Sequence, residues 1–378
     1  MARTDTLDNF CTDIADSIRE KTGETGLIPA SEFDTKIRNI ETGTGGSSDE
    51  WQPQSDWWDI DSILENDTED YQGKIICLLS DNGYTTTIPN WNANKIKLSD
   101  GTEYSPTSQA NISHTWDITK DKECSLGYKT RYVIYYFSNK DISRTYNYSK
   151  IPEETLYCIF KNMNITITNQ NWQNGVFQSR YILEYIKFID TIFVNSPVFV
   201  NNSSLVGYEG LTCTNWVFNS LRRNHALKDK YVNDYLQKLD NLSLRDAFSY
   251  NTSIREVIFK ENSTSNSTDC AWAFEGAFKL FRIVNLNLKS ATNITSMFGN
   301  CNALIIIDNI SNIKQSGVKF DSCPLLTHQS LINILNALYD YSSEGSTATY
   351  TLTLGTTNLN KLTDEEKAIA TNKGWTLA

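Results

Sequence analysis

The chain has 378 residues, of which 39% are hydrophobic and 12% aromatic, so it can bury the cores of two or three domains. Its formal net charge is −11 and no stretch is basic, which argues against binding to nucleic acid or to an anionic membrane surface. No apolar run is long enough to cross a membrane, and residues 1–10 lack the apolar segment of a secretory signal. We therefore expect the chain to remain soluble after synthesis, or to leave the cell by a route other than secretion.

Residues 1–41 are predicted to form a helical docking hairpin. Apolar residues recur three and four positions apart in each half of this segment, as on one face of each of two helices. So short a segment buries too little surface to be stable alone, so we expect it to dock on a partner or on copies of itself. The residues that we expect to make this contact are Phe10, Ile14, Ile18, Phe33 and Ile37. A Gly- and Ser-rich flexible linker follows at residues 42–50.

Residues 51–150 are predicted to form a β-rich module. Strand-like apolar runs alternate here with turn signals such as Asn82-Gly83 and Asp100-Gly101. Trp51, Trp57 and Trp58 precede these runs, and we interpret them as packing or subunit contacts.

A phenylalanine-anchored repeat is predicted over residues 151–340. In its clearest copies a small or apolar residue precedes the Phe, and apolar residues follow six and nine positions after it. These copies have their anchors at Phe248, Phe274 and Phe298, which lie 26 and 24 residues apart. A period in the twenties is typical of a solenoid, in which each short unit stacks on its neighbours. Residues 341–378 are predicted to be a C-terminal cap that covers the last unit.

Candidate catalytic and metal-binding residues are scarce. None of the three histidines has a plausible ligand or nucleophile near it in the sequence. The acidic clusters at residues 65–70 and 364–366 could serve glycoside hydrolysis, but the first lies in a polar turn and the second opens a helix. The eight cysteines are scattered without a CxxC motif, which favours reduced, buried thiols. We predict that the chain is not an enzyme and has no catalytic residue, no cofactor and no metal site.

Aromatic residues are the better candidates for a binding surface. Trp216 and Trp272 occupy the same repeat position, two residues before the Phe, and Trp172 and Tyr208 lie near equivalent turns. Exposed aromatic rings stack on sugar rings, and neighbouring Asn and Asp side chains can bind the sugar hydroxyls. The alternative is that these rings cover neighbouring units or a partner subunit.

Three segments resemble known protein families. The unit Met297-Phe298-Gly-Asn-Cys301-Asn-Ala-Leu304 resembles leucine-rich repeats of the bacterial surface-antigen type. The first helix pair looks like a short module of phage structural proteins, and the run that ends at Lys373-Gly-Trp375 is similar to the end of repeat-bearing phage tail and fibre proteins. The fold that these resemblances imply is α+β, with an N-terminal helical hairpin, a β-rich middle module and a leucine-rich-repeat solenoid.

The function that the resemblances imply is that of a phage virion protein of the fibre or receptor-binding kind. Residues 1–41 would bind other virion proteins, and the repeats would adhere to a host-surface glycan or protein or decorate the particle. A homo-oligomer, expected to be a trimer, follows from the resemblance to fibres. The alternative is a bacterial leucine-rich-repeat adhesin or interaction scaffold. A depolymerase of cell wall or capsule is a third alternative.

Overall fold

The structure is a computed structural model, and the residues that it describes are 15, 50–81, 83–108, 110–145, 151–168, 176–177, 179–195, 199–215, 221–342 and 349–378. The chain divides into two compact units, Met1–Glu50 and Trp51–Ala378, and the division falls at the end of the predicted linker. Only Ala15, which is helical and buried, and Glu50 are described in the first unit. The predicted docking hairpin and its contact residues, Phe10, Ile14, Ile18, Phe33 and Ile37, therefore lie outside the described residues.

The described residues form twenty strands, most of them short. Those in the first half of the second unit are β1 (Gly73–Ser80), β2 (Thr85–Ile88), β3 (Lys95–Leu98), β4 (Glu103–Tyr104), β5 (Ile112–Thr115), β6 (Lys122–Glu123), β7 (Lys129–Phe137), β8 (Asp141–Thr145), β9 (Thr155–Lys161) and β10 (Asn164–Thr168). The remainder are β11 (Tyr185–Ile189), β12 (Ile192–Asn195), β13 (Gly207–Glu209), β14 (Thr212–Asn215), β15 (Glu256–Ile258), β16 (Arg282–Val284), β17 (Ile306–Asp308), β18 (Val318–Lys319), β19 (Tyr350–Thr353) and β20 (Trp375–Leu377).

Five α-helices of the second unit are described, together with one 3₁₀ turn at Ile118–Lys120. The helices are α1 (Ile60–Glu65), α2 (Asp229–Leu236), α3 (His328–Ala337), α4 (Gly355–Leu359) and α5 (Asp364–Asn372). Thr327 and Thr363 are the N-cap residues of α3 and α5. Their side chains accept hydrogen bonds from backbone N–H groups in the first turn of each helix.

An eight-stranded sheet forms the centre of the second unit, in the order β13-β11-β9-β1-β7-β3-β4 with β6 beside β7. Strand β1 is antiparallel to β7 and β9, whereas β9, β11 and β13 are parallel to one another. The sheet therefore crosses residue 150, where the sequence predicts a domain boundary.

Each face of the central sheet packs in a hydrophobic core, which explains why the sequence of β1 is a continuous apolar run. Alternate residues of β1 belong to two different cores: Ile75 packs in the larger core and Ile76 in the smaller one. Helix α1 and the three tryptophans that precede it cover the smaller core, and Trp57 is buried with its indole N–H donating to the hydroxyl of Tyr128 at 2.9 Å. The interpretation of Trp57 as a packing residue is thus confirmed.

Parallel pairing continues through the rest of the chain in separate small sheets. Strands β8, β10, β12 and β14 form one, and β15, β16 and β17 form another, in which Val257, Ile283 and Ile307 lie in register. Behind this second sheet the rings of Phe248 and Phe274 stack with their centroids 5.5 Å apart. The ring of Phe298 stacks on that of Phe274 with the centroids 5.7 Å apart, and the ring of Phe320 stacks on that of Phe298 at 4.6 Å.

The predicted α+β fold with a leucine-rich-repeat solenoid is wrong for the described residues, and the helical hairpin of that prediction lies outside them. Helices make up 14% of the described residues, and the strands are divided among several sheets rather than one repeat domain. The reason lies in the segments around Phe248, Phe274 and Phe298: they form turns, not helices, and lead into three-residue strands, so these units have no helical layer.

The C-terminal residues pack on the last of the Phe units. Strand β19 pairs in parallel with β18 and β20, and helix α5 packs against α3 and β20. The ammonium group of Lys373 lies at the carboxyl end of α3, where it donates to the carbonyls of Leu335, Asn336 and Leu338 at 2.7–3.1 Å. These bonds fill acceptors that a helix end otherwise leaves unpaired. Among the described residues, no helix is both long and apolar enough to traverse a bilayer.

Candidate functional site

A surface cleft of about 310 Å³, here called the arginine–aromatic cleft, lies beside the stacked phenylalanines. Its walls combine guanidinium groups, aromatic rings and carboxyl groups from consecutive segments of the chain. The lining residues are Arg222, Arg223, Arg245, Asp246, Tyr250, Trp272 and Glu275.

The cleft is built from three successive turns at residues 221–223, 245–250 and 271–276. Three hydrogen bonds of 2.6–3.0 Å connect the middle turn to the third. The backbone N–H groups of Asp246, Phe248 and Tyr250 donate to carbonyls of residues 271, 273 and 275. The first is tied to the middle one by the backbone N–H of Arg223, which donates to Ser249 at 3.0 Å. The cleft is therefore positioned by the backbone that also holds the phenylalanines in register.

The lining side chains project from unusual backbone. Asp246 and Tyr250, two residues before and after Phe248, have φ of 54° and 52°, and Trp272 has φ of 56°. Bulky residues rarely adopt this left-handed region. Ser296 and Asn300, at the equivalent positions around Phe298, also have positive φ, so this conformation belongs to the repeated turn. The position equivalent to Tyr250 in the next turn is Gly276, which also has positive φ. Because a Cβ there would lie 2.7 Å from the Tyr250 ring, glycine makes room for that ring.

Each aromatic ring of the cleft lies against arginine. The guanidinium carbon of Arg245 lies 4.7 Å from the centroid of the Trp272 ring. The guanidinium groups of Arg222 and Arg223 lie 6.0 and 5.6 Å from the centroid of Tyr250. Contacts of this kind stabilise both partners and restrict the arginine rotamers.

Asp246 lies between two of these arginines at the base of the cleft, and it is 8% exposed. Its carboxylate oxygens are 3.6 Å from a terminal nitrogen of Arg222 and 3.8 Å from Nε of Arg245, and Ser249 donates to it at 3.3 Å. Arg245 makes a much shorter ion pair with Asp269, at 2.6 Å. Asp246 thus lies in the field of two guanidinium groups and accepts a hydrogen bond from Ser249.

Burial raises the pKa of Asp246, and the charges of Arg222 and Arg245 offset this only in part because of those distances. Burial also raises the pKa of Glu275, and the nearby charge of Asp246 raises it further. Arg222 and a hydrogen bond with Tyr250 act in the opposite direction on Glu275. The cleft therefore takes up protons more readily than isolated carboxylates would, and it becomes more positive as it does so.

Arg223 differs from the other two arginines of the cleft. Its side chain is exposed, and it makes no ion pair with any residue that the structure describes, so the Tyr250 ring is its contact in the cleft. A guanidinium group presents a planar set of donors that matches carboxylate and phosphate oxygens. Arg223 is thus available to bind an anionic group of a ligand.

The predicted binding residues have separate outcomes. Trp272 lines the cleft and is half-buried. Trp172 and Trp216 lie outside the described residues. Tyr208 is the exception that the structure corrects: its ring is 3% exposed and stacks on Phe199 at 5.0 Å, so it belongs to the core and offers no surface to a ligand. Its strand, β13, pairs with β11 so that Tyr208 lies beside the buried Ile186.

Sequence reasoning missed the other lining residues, although a signal for Asp246 was present. Asp246 precedes Phe248 by two residues, as Trp272 precedes Phe274, so the repeat places the two at equivalent positions. No comparable signal pointed to Arg222 or Glu275, because their place depends on how neighbouring turns stack.

The acidic clusters and histidines considered in the sequence have structural partners instead. Lys74 lies 2.8 Å from Asp67, and Glu366 accepts from the N–H of Thr363 at the start of α5. His114 is buried in a chain of hydrogen bonds, with one ring nitrogen 2.8 Å from the Tyr104 hydroxyl and the other 2.7 Å from Asp100. The seven cysteines among the described residues form no disulfide.

Comparison with known proteins gives no further guide to the cleft. No protein-family model, no curated protein and no solved structure matches this chain.

Proposed function

We propose that this chain is a non-enzymatic structural protein of a phage particle, of the fibre or receptor-binding kind, and that its arginine–aromatic cleft binds an acidic glycan of the host surface. The observation that carries the binding proposal is the pairing of each cleft aromatic with arginine: Trp272 with Arg245, and Tyr250 with Arg222 and Arg223.

A saccharide fits this surface better than other small ligands do. Sugar rings pack their C–H faces on aromatic rings, and both Trp272 and Tyr250 line the cleft. Sugar hydroxyls can donate to the carboxyl group of Glu275, which is half-buried, and accept from the arginines. A shallow polar cleft on the surface is also the place where a long chain can bind one or two of its rings without being enclosed.

The acidic character of the ligand follows from Arg223. Two of the cleft arginines lie near Asp246, but Arg223 has no acidic partner among the described residues. A carboxylate or phosphate on the glycan would supply that partner, and a hydrogen bond between charged groups is worth about 1.5–3 kcal/mol. Both kinds of substituent share this chemistry, and a binding experiment can distinguish them.

Binding rather than hydrolysis is the activity that the carboxyl groups favour. A glycosidase needs one carboxyl group as acid and a second as nucleophile or base. Asp246 is 8% exposed and accepts a hydrogen bond from Ser249, so it is committed within the protein. A cleft of this kind holds the glycan without cleaving it, and incubation should release no reducing sugar.

The assignment to a phage particle rests on the resemblances of the two ends of the sequence. Residues 1–41 would attach the chain to other virion proteins, and a trimer is the expected assembly. Immunogold labelling of purified particles tests this part: label at a tail tip or on the capsid supports it, and particles without label contradict it. Deletion of residues 1–41 should remove the protein from particles while residues 51–378 remain folded.

Glycan binding is tested with the full-length chain on an array of matched acidic and neutral glycans, with carboxylate- and phosphate-bearing members. We expect binding to acidic members, and a loss of about tenfold or more in affinity for Arg223→Gln, since a charged hydrogen bond is removed. Arg255→Gln is the matched control, because Arg255 is also exposed and stacked on an aromatic ring, 5.5 Å from the centroid of Phe281, but lies outside the cleft. Equal effects of the two substitutions, or no preference for acidic glycans, would contradict the proposal.

A further inference from the structure

Two ladders of asparagine side chains connect successive turns of the chain between residues 259 and 312. In the first, the amide nitrogen of Asn287 donates to the amide oxygen of Asn262 at 2.8 Å, and that of Asn312 donates to Asn287 at 3.0 Å. In the second, the amide nitrogen of Asn309 donates to the amide oxygen of Asn285 at 2.7 Å. The ladders thus run through residues spaced about one repeat apart.

Backbone groups fix the direction of both ladders. The backbone N–H of Lys289 donates to the side chain of Asn287 at 3.0 Å, so the atom that receives it must be the amide oxygen. The side chain of Asn285 donates to the carbonyl of Phe259 at 2.9 Å, so the atom that donates must be the amide nitrogen. Every rung therefore donates towards the preceding turn, and the last amide oxygens, on Asn309 and Asn312, receive no donor from the described residues.

A groove of about 610 Å³ begins where the ladders end, and we call it the asparagine groove. Asn309 and Asn312 line it together with Asn336, Tyr339 and Asp340. Asn336 is exposed near the end of α3, and its side-chain amide makes no hydrogen bond with a described residue. The groove therefore presents unused amide acceptors and donors on one wall and an aromatic ring on another.

The ring of Tyr339 is held in place by its neighbours. Lys314 places its ammonium group 4.6 Å from the ring centroid, and Tyr341 packs edge-on against the ring at 4.8 Å. The backbone N–H of Tyr339 donates to Ile313 at 2.9 Å. A ring that is fixed in this way loses little conformational entropy when a ligand packs on it.

We propose that the asparagine groove binds a neutral, hydroxyl-rich saccharide, and that it does so independently of the arginine–aromatic cleft. Sugar hydroxyls would donate to the amide oxygens of Asn309 and Asn312, and the ring would pack against Tyr339. Hydrogen bonds from Ser342 lower the pKa of Asp340, so this carboxylate is charged and disfavours acidic sugars. Asn336 can both donate and accept, which suits hydroxyls more than ions.

The proposal is tested by saturation-transfer NMR on the full-length protein with maltotriose, cellotriose and chitotriose as probes. At least one probe should receive saturation from the protein. Asn336→Trp fills the groove without removing a rung of either ladder and should weaken that probe's binding at least tenfold. Asn336→Ala, which removes one amide, should weaken it by a smaller factor. Asn302→Trp is the control, because Asn302 is an exposed asparagine outside the groove.

Trp272→Ala tests whether the asparagine groove binds independently of the cleft. Because Trp272 lines the cleft and not the groove, this substitution should leave binding of the neutral probe unchanged. No saturation of any probe, or equal binding by the wild type and Asn336→Trp, would overturn the proposal. Binding of calcium but of none of the three sugars would also overturn it, since the free oxygens would then belong to a cation site.

Discussion

Arg245 packs its guanidinium group over Trp272 with 4.7 Å between the guanidinium carbon and the ring centroid, while the same group binds Asp269 at 2.6 Å. The arginine is therefore held from two sides before any ligand arrives. The backbone N–H of Trp272 donates to the carbonyl of Thr295 at 2.9 Å, so the turn that carries the ring is tied to the next one. Such preorganisation lowers the entropy that binding would otherwise cost.

Gly276→Ala should displace Tyr250 from the cleft. The new Cβ would lie 2.7 Å from the Tyr250 ring, and alanine would also have to adopt φ of +69°. We expect a loss of roughly 2–4 kcal/mol in the free energy of unfolding, from backbone strain and overpacking together, and weaker binding of acidic glycan. Urea unfolding and glycan titration measure the two effects.

Gly317→Ala is the control for this substitution. Gly317 has φ of +85°, but a Cβ added there would have no other atom within 4 Å, so alanine meets only the backbone strain. We expect a loss of about 1 kcal/mol and unchanged glycan binding. Equal destabilisation by the two substitutions would show that Tyr250 is not packed against Gly276.

Glu275→Gln should stabilise the protein at neutral pH. Burial and the charge of Asp246 raise the pKa of Glu275 in the folded state, so the folded chain holds this proton more tightly than the unfolded chain does. The stability of the wild type should therefore fall as the pH rises from the ordinary glutamate value through the raised one. The variant lacks this fall, and its advantage should disappear near about pH 3, where both states of the wild type are protonated.

Glu366→Gln should have the opposite pH dependence and serves as the comparison. A hydrogen bond from Thr363, followed by one from His328, lowers the pKa of Glu366. Its contribution to stability is present above the ordinary glutamate value and is lost as the pH falls. The variant should thus be less stable than the wild type at neutral pH, with a difference that shrinks on acidification. Urea titrations at several pH values would refute this account if both variants shifted stability in the same direction.

Lys373→Met should destabilise the C-terminal part of the chain. The substitution removes the donor that three carbonyls at the end of α3 share. The Leu335 carbonyl keeps the N–H of Leu338 at 3.4 Å and that of Asn336 is exposed, so the main loss is at the part-buried carbonyl of Leu338, and a buried acceptor left without its partner costs about 1–3 kcal/mol. Lys367→Met is the matched control, because the Lys367 ammonium lies 3.4 Å from an exposed Asp364 and forms no other ion pair with a described residue. Chemical denaturation should rank the first variant well below the second; similar midpoints would mean that the helix end does not depend on Lys373.

Tyr104→Phe should weaken the β-rich part of the chain. The hydroxyl of Tyr104 is the partner of one ring nitrogen of His114, which is buried, and the other nitrogen binds Asp100. Removing the hydroxyl leaves a buried polar atom without its partner, at a cost of about 1–3 kcal/mol. Tyr84→Phe is the control, since Tyr84 is 67% exposed. Thermal unfolding should separate the two variants, and equal melting temperatures would argue against the buried chain of bonds.

The sequence predicted the strands better than the fold that contains them. The apolar runs around β1 and β7 and the start of α5 at Thr363 are found where the pattern places them. The central sheet could not be foreseen, because pairing of β9 with β1 joins segments that are more than seventy residues apart and leaves no local signal. The leucine-rich-repeat fold was wrong because spacing alone does not distinguish a helix from a turn in so short a unit.

The cleft was predicted only at Trp272. The repeat placed this residue two positions before Phe274, and the structure puts it on the surface. Tyr208 was chosen on a different ground, its place near an equivalent turn, and this choice failed because its ring packs against Phe199 and Tyr235. Which face of a strand is buried depends on the sheet it joins, and that is tertiary information.

Isothermal titration of the full-length protein with an acidic glycan tests the role of the cleft most directly, with Trp272→Ala compared with Phe278→Ala. Phe278 is 48% exposed and lies outside the cleft, so its substitution removes an aromatic ring from the same unit without changing the lining of the cleft. We expect a loss of affinity of about tenfold or more for Trp272→Ala and none for Phe278→Ala. Unchanged affinity in Trp272→Ala, with the variant folded, would contradict the claim that the arginine–aromatic cleft binds the glycan.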